Sequence, residues 1–201
     1  DAIIEILTKA YPDHNILAEE SGDRLQSSDY CWIIDPIDGT TNFIHGFPQF
    51  AVSIALQYKN EIVVAVIYNP LTHELFTSMK GSGAHVNNKR IRISQPKTIS
   101  RSLIGTGFPF KDDSEIDNYL DVFKEIIKQT SGIRRAGSAA LDLAYVASGR
   151  LDGFWESGLK PWDMAAGILL IKESGGIVTD FSNNNNSLQN GQVIAGGKLI
   201  H

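Results

Sequence analysis

The sequence predicts a layered α/β fold, of the α+β kind, with a sheet in each half. Three observations carry that prediction. Strand-like runs crowd the first 100 or so residues, and helical periods alternate with short strands after Ser102. No repeat or linker interrupts the 201 residues, so one domain with two lobes, about 1–100 and 101–201, is expected.

Residues 1–10 read as an amphipathic helix with Ile3, Ile4, Leu7 and Ala10 on one face, ended by the Pro12-Asp13 turn. I-L-A-E-E-S-G from Ile16 reads as a short strand running into a loop, and residues 30–34 as a buried strand. A-V-S-I-A-L-Q-Y from Ala51 and E-I-V-V-A-V-I-Y from Glu61, joined near Lys59-Asn60, form a hairpin pattern. E-L-F-T-S-M from Glu74 and I-R-I-S from Ile91 extend that sheet, which is expected to be antiparallel.

In the second half, Ser102 opens a strand, and Ile116–Lys128 a helix with apolar positions Ile116, Leu120, Phe123 and Ile127. Ser138–Ala147 is an Ala- and Leu-rich helix closed by Ser148-Gly149. D-G-F-W-E from Asp152 is a strand, and Trp162–Glu173 a helix ended by Gly175-Gly176. Strands from Gly176 and Gln192 finish the pattern, with a solvated N-N-N-N-S turn between them.

Composition narrows the function classes. Hydrophobic residues are 42% and charged residues 20%, the balance of a globular protein able to bury roughly 70% of its unfolded surface. Net charge is −5 without a basic tract, which argues against a nucleic-acid groove. The longest apolar run, Ile62–Tyr68, falls far short of the ~20 residues of a membrane span. The lone Cys31 excludes an internal disulfide, suits a reducing, cytoplasmic setting, and reads as a buried small hydrophobe. The chain starts at Asp1 already in helical period, so it is expected to begin inside a helix and to lack part of its natural N-terminus.

The chemistry concentrates in D-P-I-D-G-T-T-N, residues 35–42, directly after the apolar Y-C-W-I-I. Pro36 is expected to turn the chain there, so that Asp35 and Asp38 aim at one point. Gly39 permits close backbone approach, and Thr40-Thr41 suits a helix start with outward N–H groups. The competing reading is an ordinary polar loop. Glu19-Glu20 also ends a strand, and Asp163 opens an apolar helix, where it could simply favour the helix dipole. If Glu19, Asp35, Asp38 and Asp163 converge at ~4 Å and an effective dielectric of ~20, each pair repels by about 4 kcal/mol. Such a cluster takes up protons or binds cations, and an all-oxygen set favours Mg²⁺ over Zn²⁺.

E-E-S-G (Glu19–Gly22), W-I-I-D-P-I-D-G-T-T-N-F (Trp32–Phe43) and P-W-D-M-A-A-G (Pro161–Gly167) resemble the three signatures of the inositol monophosphatase family. T-G-F-P-F-K from Thr106 and R-R-A-G-S-A-A-L-D-L-A-Y-V-A-S-G-R-L-D-G-F-W-E from Arg134 continue the likeness, which is strongest to bacterial members of the SuhB type. The resemblance implies an alternating α-β-α-β-α sandwich of the sugar-phosphatase, fructose-bisphosphatase-like type. It implies two or three Mg²⁺ per site, with Glu19, Asp35 and the Ile37 carbonyl holding the first and Asp35, Asp38 and Asp163 the second. Glu19 and Thr40 match the pair that activates water, Gly39 and Thr40 bind phosphate through main-chain N–H groups, and Asp38, Gly137, Ser138, Ala139 and Glu156 meet substrate hydroxyls.

For Ser138 a plain helix cap is an equal expectation; without the family match, Glu156 would be a surface carboxylate. Arg134 and Arg135 suit anion steering or a structural role, while Phe43, Phe47 and Trp155 are expected in the core. The implied activity is Mg²⁺-dependent, lithium-sensitive hydrolysis of inositol monophosphate by a homodimer. Fructose-1,6-bisphosphatase, nucleotide 3′-phosphatase and NADP phosphatase activities are alternatives on the same metal core. A binding role with the transcription or RNA machinery is a third possibility. The family's T-x-x-D element, which lies ahead of the first helix, has no match in the chain.

Overall fold

A computed structural model describes residues 2–20, 22–108 and 113–201. Of the family-like segments, Ser21 and residues 109–111 therefore lie outside the described residues, as does Asp1 of the expected first helix. Five layers stack as α1, an eight-stranded sheet, the pair α4 and α5, a five-stranded sheet, and α3. The α-β-α-β-α expectation is borne out.

The first layer is α1 (Ala2–Ala10), whose Ile3, Ile4 and Leu7 pack on Ile16, Ala18 and Ile34; Ala10, expected on that face, is exposed. The large sheet runs β2 (Gly22–Arg24), β1 (Asn15–Ala18), β3 (Tyr30–Asp38), β4 (Ala51–Tyr58), β5 (Glu61–Asn69), β6 (Glu74–Met79), β7 (Ala84–Val86) and β8 (Lys89–Arg90). It is antiparallel except where β1 runs parallel to β3. Small inward residues on β4 and β5 (Ala51, Ser53, Ala55, Ala65) form a shallow buried surface. Helix α5 (Pro161–Ser174) seats on it, and the Ser53 hydroxyl donates to the Trp162 carbonyl at 3.1 Å.

Helix α4 (Ala139–Ala147) and α5 are buried nearly all round because sheets cover them on both sides. They meet at Gly167, where a Cβ would lie 2.5 Å from that of Leu143, so only glycine allows this approach. The second sheet orders β10 (Gly132–Arg134), β9 (Leu103–Thr106), β11 (Gly153–Glu156), β13 (Val193–Gly196) and β12 (Ile177–Thr179). Its first three strands are parallel, while β13 opposes both its neighbours. On its outer face lies α3 (Asp113–Gln129).

Several expectations change. I-R-I-S from Ile91 is not a strand: Ile91 donates to the Ala84 carbonyl and Ile93 to that of Ser174, at the end of α5. The apolar alternation there is real, since Ile91 and Ile93 are buried, but a helix end takes the backbone bond that a strand would have supplied. The sheet is extended instead by the β7–β8 hairpin, whose Asn87 and Asn88 take the positive φ that a primed turn needs. On α3 the inward face is Ile116, Tyr119, Phe123 and Ile126; Leu120 and Ile127 are exposed. Tyr119 sets that rotation, with its hydroxyl 3.2 Å from the Thr106 hydroxyl and its ring stacked on Trp155. Trp155 is in the core as expected, but Phe43 and Phe47 are exposed, because α2 (Thr40–Ile44) is a short surface helix with no buried residue. Cys31 is half-buried. The short elements β2, β7, β8, β10 and α6 (Ser187–Asn190) carry too little periodicity to be seen in the sequence.

Candidate active site

Residues three apart on a regular strand point to opposite faces, so D-x-x-D does not by itself aim both carboxylates one way. The expected turn at Pro36 is absent: β3 continues to Asp38, through a bulge. Asp35 pairs with Ser53 and Asp38 with Ala51, so Pro36 and Ile37 together face the single residue Val52. The extra residue restores the parity and buries both carboxylates on the same side. A bulge also tolerates Pro36, whose missing N–H would break a regular ladder. The Ile37 N–H donates to Asp35 Oδ1 at 2.9 Å, and Thr40 Oγ1 donates to the Ile37 carbonyl at 2.9 Å.

Gly39 then turns the chain into α2 with φ +91°, and a Cβ there would lie 2.8 Å from the Gln49 carbonyl and 3.2 Å from that of Gly137. Neither the conformation nor the space admits another residue. The first N–H groups of α2 precede its opening bond, Phe43 to the Gly39 carbonyl, and have no partner within the helix.

Two buried helices bring their N-termini to this point. Ser138 caps α4: its hydroxyl accepts from the Leu141 N–H at 3.4 Å and donates to Asp38 Oδ2 at 2.5 Å, while the Ala140 N–H donates to the same oxygen at 2.8 Å. The cap expectation for Ser138 holds. Its side chain is fully buried and turned to Asp38, and the residue also lines the cavity beside the trio. Asp163 occupies the third position of α5 and accepts from the Lys160 N–H through Oδ2 at 2.7 Å. Each of the three aspartates thus accepts a backbone N–H bond.

Oxygens of Asp35, Asp38 and Asp163 all lie within 4.8 Å of one another. At that distance and an effective dielectric of ~20, each ionised pair repels by roughly 3.5 kcal/mol. Burial first, then the charges of Asp38 and Glu19, push the Asp35 carboxyl up to about 8. Burial likewise lifts Asp38 to about 7, against the Ser138 and Ala140 hydrogen bonds that favour its charged form. Of the four carboxylates expected to converge, Glu19 stays outside this trio: it sits exposed in the turn after β1, next to β3 through its N–H to the Ile34 carbonyl. Its charge nevertheless reaches both Asp35 and Asp38. The donor set is entirely carboxylate oxygen, which fits a hard divalent cation.

A cavity of about 120 Å³ opens beside the trio, lined among others by Asp38, Gly137, Ala139, Glu156 and Asp163. Glu156 ends β11 and lies over Gly107, where a Cβ would fall 1.8 Å from its Oε1. Burial and then the neighbouring Asp142 raise its carboxyl to about 8. Asp142 was missed in the sequence. It is buried on α4, and burial and the charge of Asp38 hold its carboxyl well above the usual range. A lone charge inside the apolar A-A-L-D-L-A-Y run was the available signal.

The family model described as the inositol monophosphatase family matches residues 1–201. The chain belongs to the inositol monophosphatase family. It is 52% identical over 199 residues to the Nus factor SuhB of Pseudomonas aeruginosa, covering 96% of this chain and 73% of that protein. The extragenic suppressor protein SuhB of Bartonella henselae superposes with a TM-score of 0.95 at 48% identity, covering 98% of this chain and 76% of that one. The inositol monophosphatase of Anabaena sp. PCC 7120 gives 0.94 at 44% identity, covering 99% and 79%. Family and fold thus mark a phosphatase scaffold of the SuhB type.

Proposed function

We propose that the chain is a Mg²⁺-dependent phosphomonoesterase that hydrolyses inositol monophosphate. The observation that carries this reading is the aspartate trio, buried at Asp35 and Asp38 and half-buried at Asp163, whose mutual repulsion would be relieved by a divalent cation. Asp35, Asp38 and Asp163 would hold the ion, with Glu19 and the Ile37 carbonyl completing the set. When bound, Mg²⁺ supplies charge neutralisation and a water acidified toward neutrality.

The remaining work falls to the chain's own groups. N–H groups at Gly39 and Thr40 would receive the phosphate at the left-handed turn. Thr40 and Glu19, both exposed, would orient and deprotonate the attacking water through the Thr40 hydroxyl and the Glu19 carboxylate. Ser138 and Ala140 keep Asp38 fixed, so that little reorganisation accompanies reaction. Glu156 would meet hydroxyls of the leaving alcohol. Among the described lining residues of the cavity there is no aromatic ring to stack a nucleobase, which favours a polyol over a nucleotide. Lithium sensitivity and a homodimer belong to the same reading.

The test is phosphate release from inositol 1-phosphate with and without Mg²⁺. No metal-dependent release above that of an Asp38→Asn control removes the proposal. A second reading, association with the transcription machinery, is favoured by the 52% identity to a protein named as a Nus factor. Rescue of a deletion phenotype by Asp38→Asn would support binding over catalysis, and failure to rescue the reverse.

A further inference from the structure

Eight of the nine residues of α4 are buried, and one of them is a carboxylate, Asp142, only 2% exposed. Among the described residues no hydrogen-bond donor reaches its side chain. A carboxylate withdrawn from water without donors is costly to keep, and that cost is offset when a donor arrives with a ligand. Asp142 packs toward Gly105 of β9, where an added Cβ would lie in van der Waals contact with its own at 3.8 Å. It lines the 120 Å³ cavity together with Glu156 and Arg135, at the end of that cavity formed by the second sheet. The volume is several times the ~30 Å³ share of one water molecule.

The chemistry of this end differs from that of the aspartate trio. The Arg135 guanidinium lies against Gly137 and over the Phe108 ring at 5.0 Å, and its charge acts on both Asp142 and Glu156. Two acceptors and one donor array match a neutral group whose hydroxyls both give and receive hydrogen bonds. Once ionised, these two carboxyls would repel a second phosphate there.

We propose that Asp142 is a specificity-determining residue that accepts a hydrogen bond from a hydroxyl on the alcohol half of the substrate, so that the cavity selects phosphorylated polyols over phosphate esters lacking further hydroxyls. This rests on the phosphomonoesterase reading above. A purely structural role, balancing Arg135, would affect every ester alike.

The experiment compares kcat/KM for inositol 1-phosphate with that for phenyl phosphate in the unaltered chain, Asp142→Ala and Asp142→Asn. The ratio of the two values falls about 10–100-fold in the alanine variant, as expected when a buried hydroxyl is left without its hydrogen-bond partner. It falls less in the isosteric asparagine variant, which carries the test if the alanine variant does not fold. Calorimetric titration shows weaker binding of inositol 1-phosphate beside unchanged binding of inorganic phosphate. A ratio within about 3-fold of the unaltered chain, or equal weakening of both ligands, overturns the assignment. If the unaltered chain hydrolyses neither ester with Mg²⁺, the phosphatase reading itself fails, and this assignment with it.

Discussion

The two ends of the α4–α5 pair obey opposite rules. Along the middle, Leu143, Val146, Leu170 and Ile171 are fully buried and Gly167 allows near contact, so packing alone accounts for the arrangement. At the N-terminal end the same helices, between the same sheets, gather Asp38, Asp142 and Asp163, with Asp35 and Glu156 alongside. There burial raises carboxyl groups to about 7 or 8, so the metal-free site costs stability at neutral pH. The lesson is a division of labour: the apolar length of each helix holds its acidic end in a place that the acids themselves disfavour.

Asp38→Asn puts the largest strain on that comparison. It removes a charge from the trio, and Mg²⁺-dependent phosphate release is expected to fall about 100–1,000-fold, by analogy with the loss of a principal electrostatic group. The metal-free melting temperature at pH 8 should rise, because a repulsive charge is gone; a fall beyond about 5 °C would mean that Asp38 is primarily structural.

Next in size is the apolar middle. Gly167→Val forces a side chain against that of Leu143, and overpacking of this kind costs about 1–3 kcal/mol. In a domain of this length that lowers the melting temperature by roughly 2–12 °C in calorimetry. Metal affinity of the protein that remains folded should hardly change if the two ends are separable.

The pH dependence separates the ends without mutation. The folded carboxyls of Asp35 and Asp38 bind protons up to about 8 and 7, above their ordinary value of 3.8, so their contribution is fully present near pH 4 and is lost as pH rises to 8. Metal-free protein should therefore melt lower at pH 8 than at pH 5.5, and saturating Mg²⁺ should reverse the difference. Equal melting temperatures at both pH values, with no effect of Mg²⁺, would contradict the acidic-end argument.

The smallest expected effect is Ser138→Ala. It removes the cap of α4 and one of two donors to Asp38, costing about 0.5–2 kcal/mol of stability. Because the Ala140 N–H still holds Asp38, activity should fall about 10-fold rather than vanish. A loss as deep as that of Asp38→Asn would make the hydroxyl a direct participant.

The sequence by itself determined the long elements, because their periods are strong: β4 and β6 run over the expected residues, and α4 and α5 match to within one residue at each end. It also marked Asp35, Asp38 and Asp163, since acids at the ends of apolar runs stand out in one dimension. Only the tertiary structure decided how they meet. The bulge at Pro36 and Ile37 is a property of the pairing between β3 and β4, not of D-P-I-D read alone. Ser138 stands 100 residues from the aspartate it holds, and Asp142 becomes an interior charge only once two sheets close over α4. Glu19 lies outside the trio for the same reason: strand order puts it beside Asp35, but its turn leaves the side chain exposed. Local pattern fixes what a residue can do, whereas distance and burial, which set its charge state, exist only after the layers have packed.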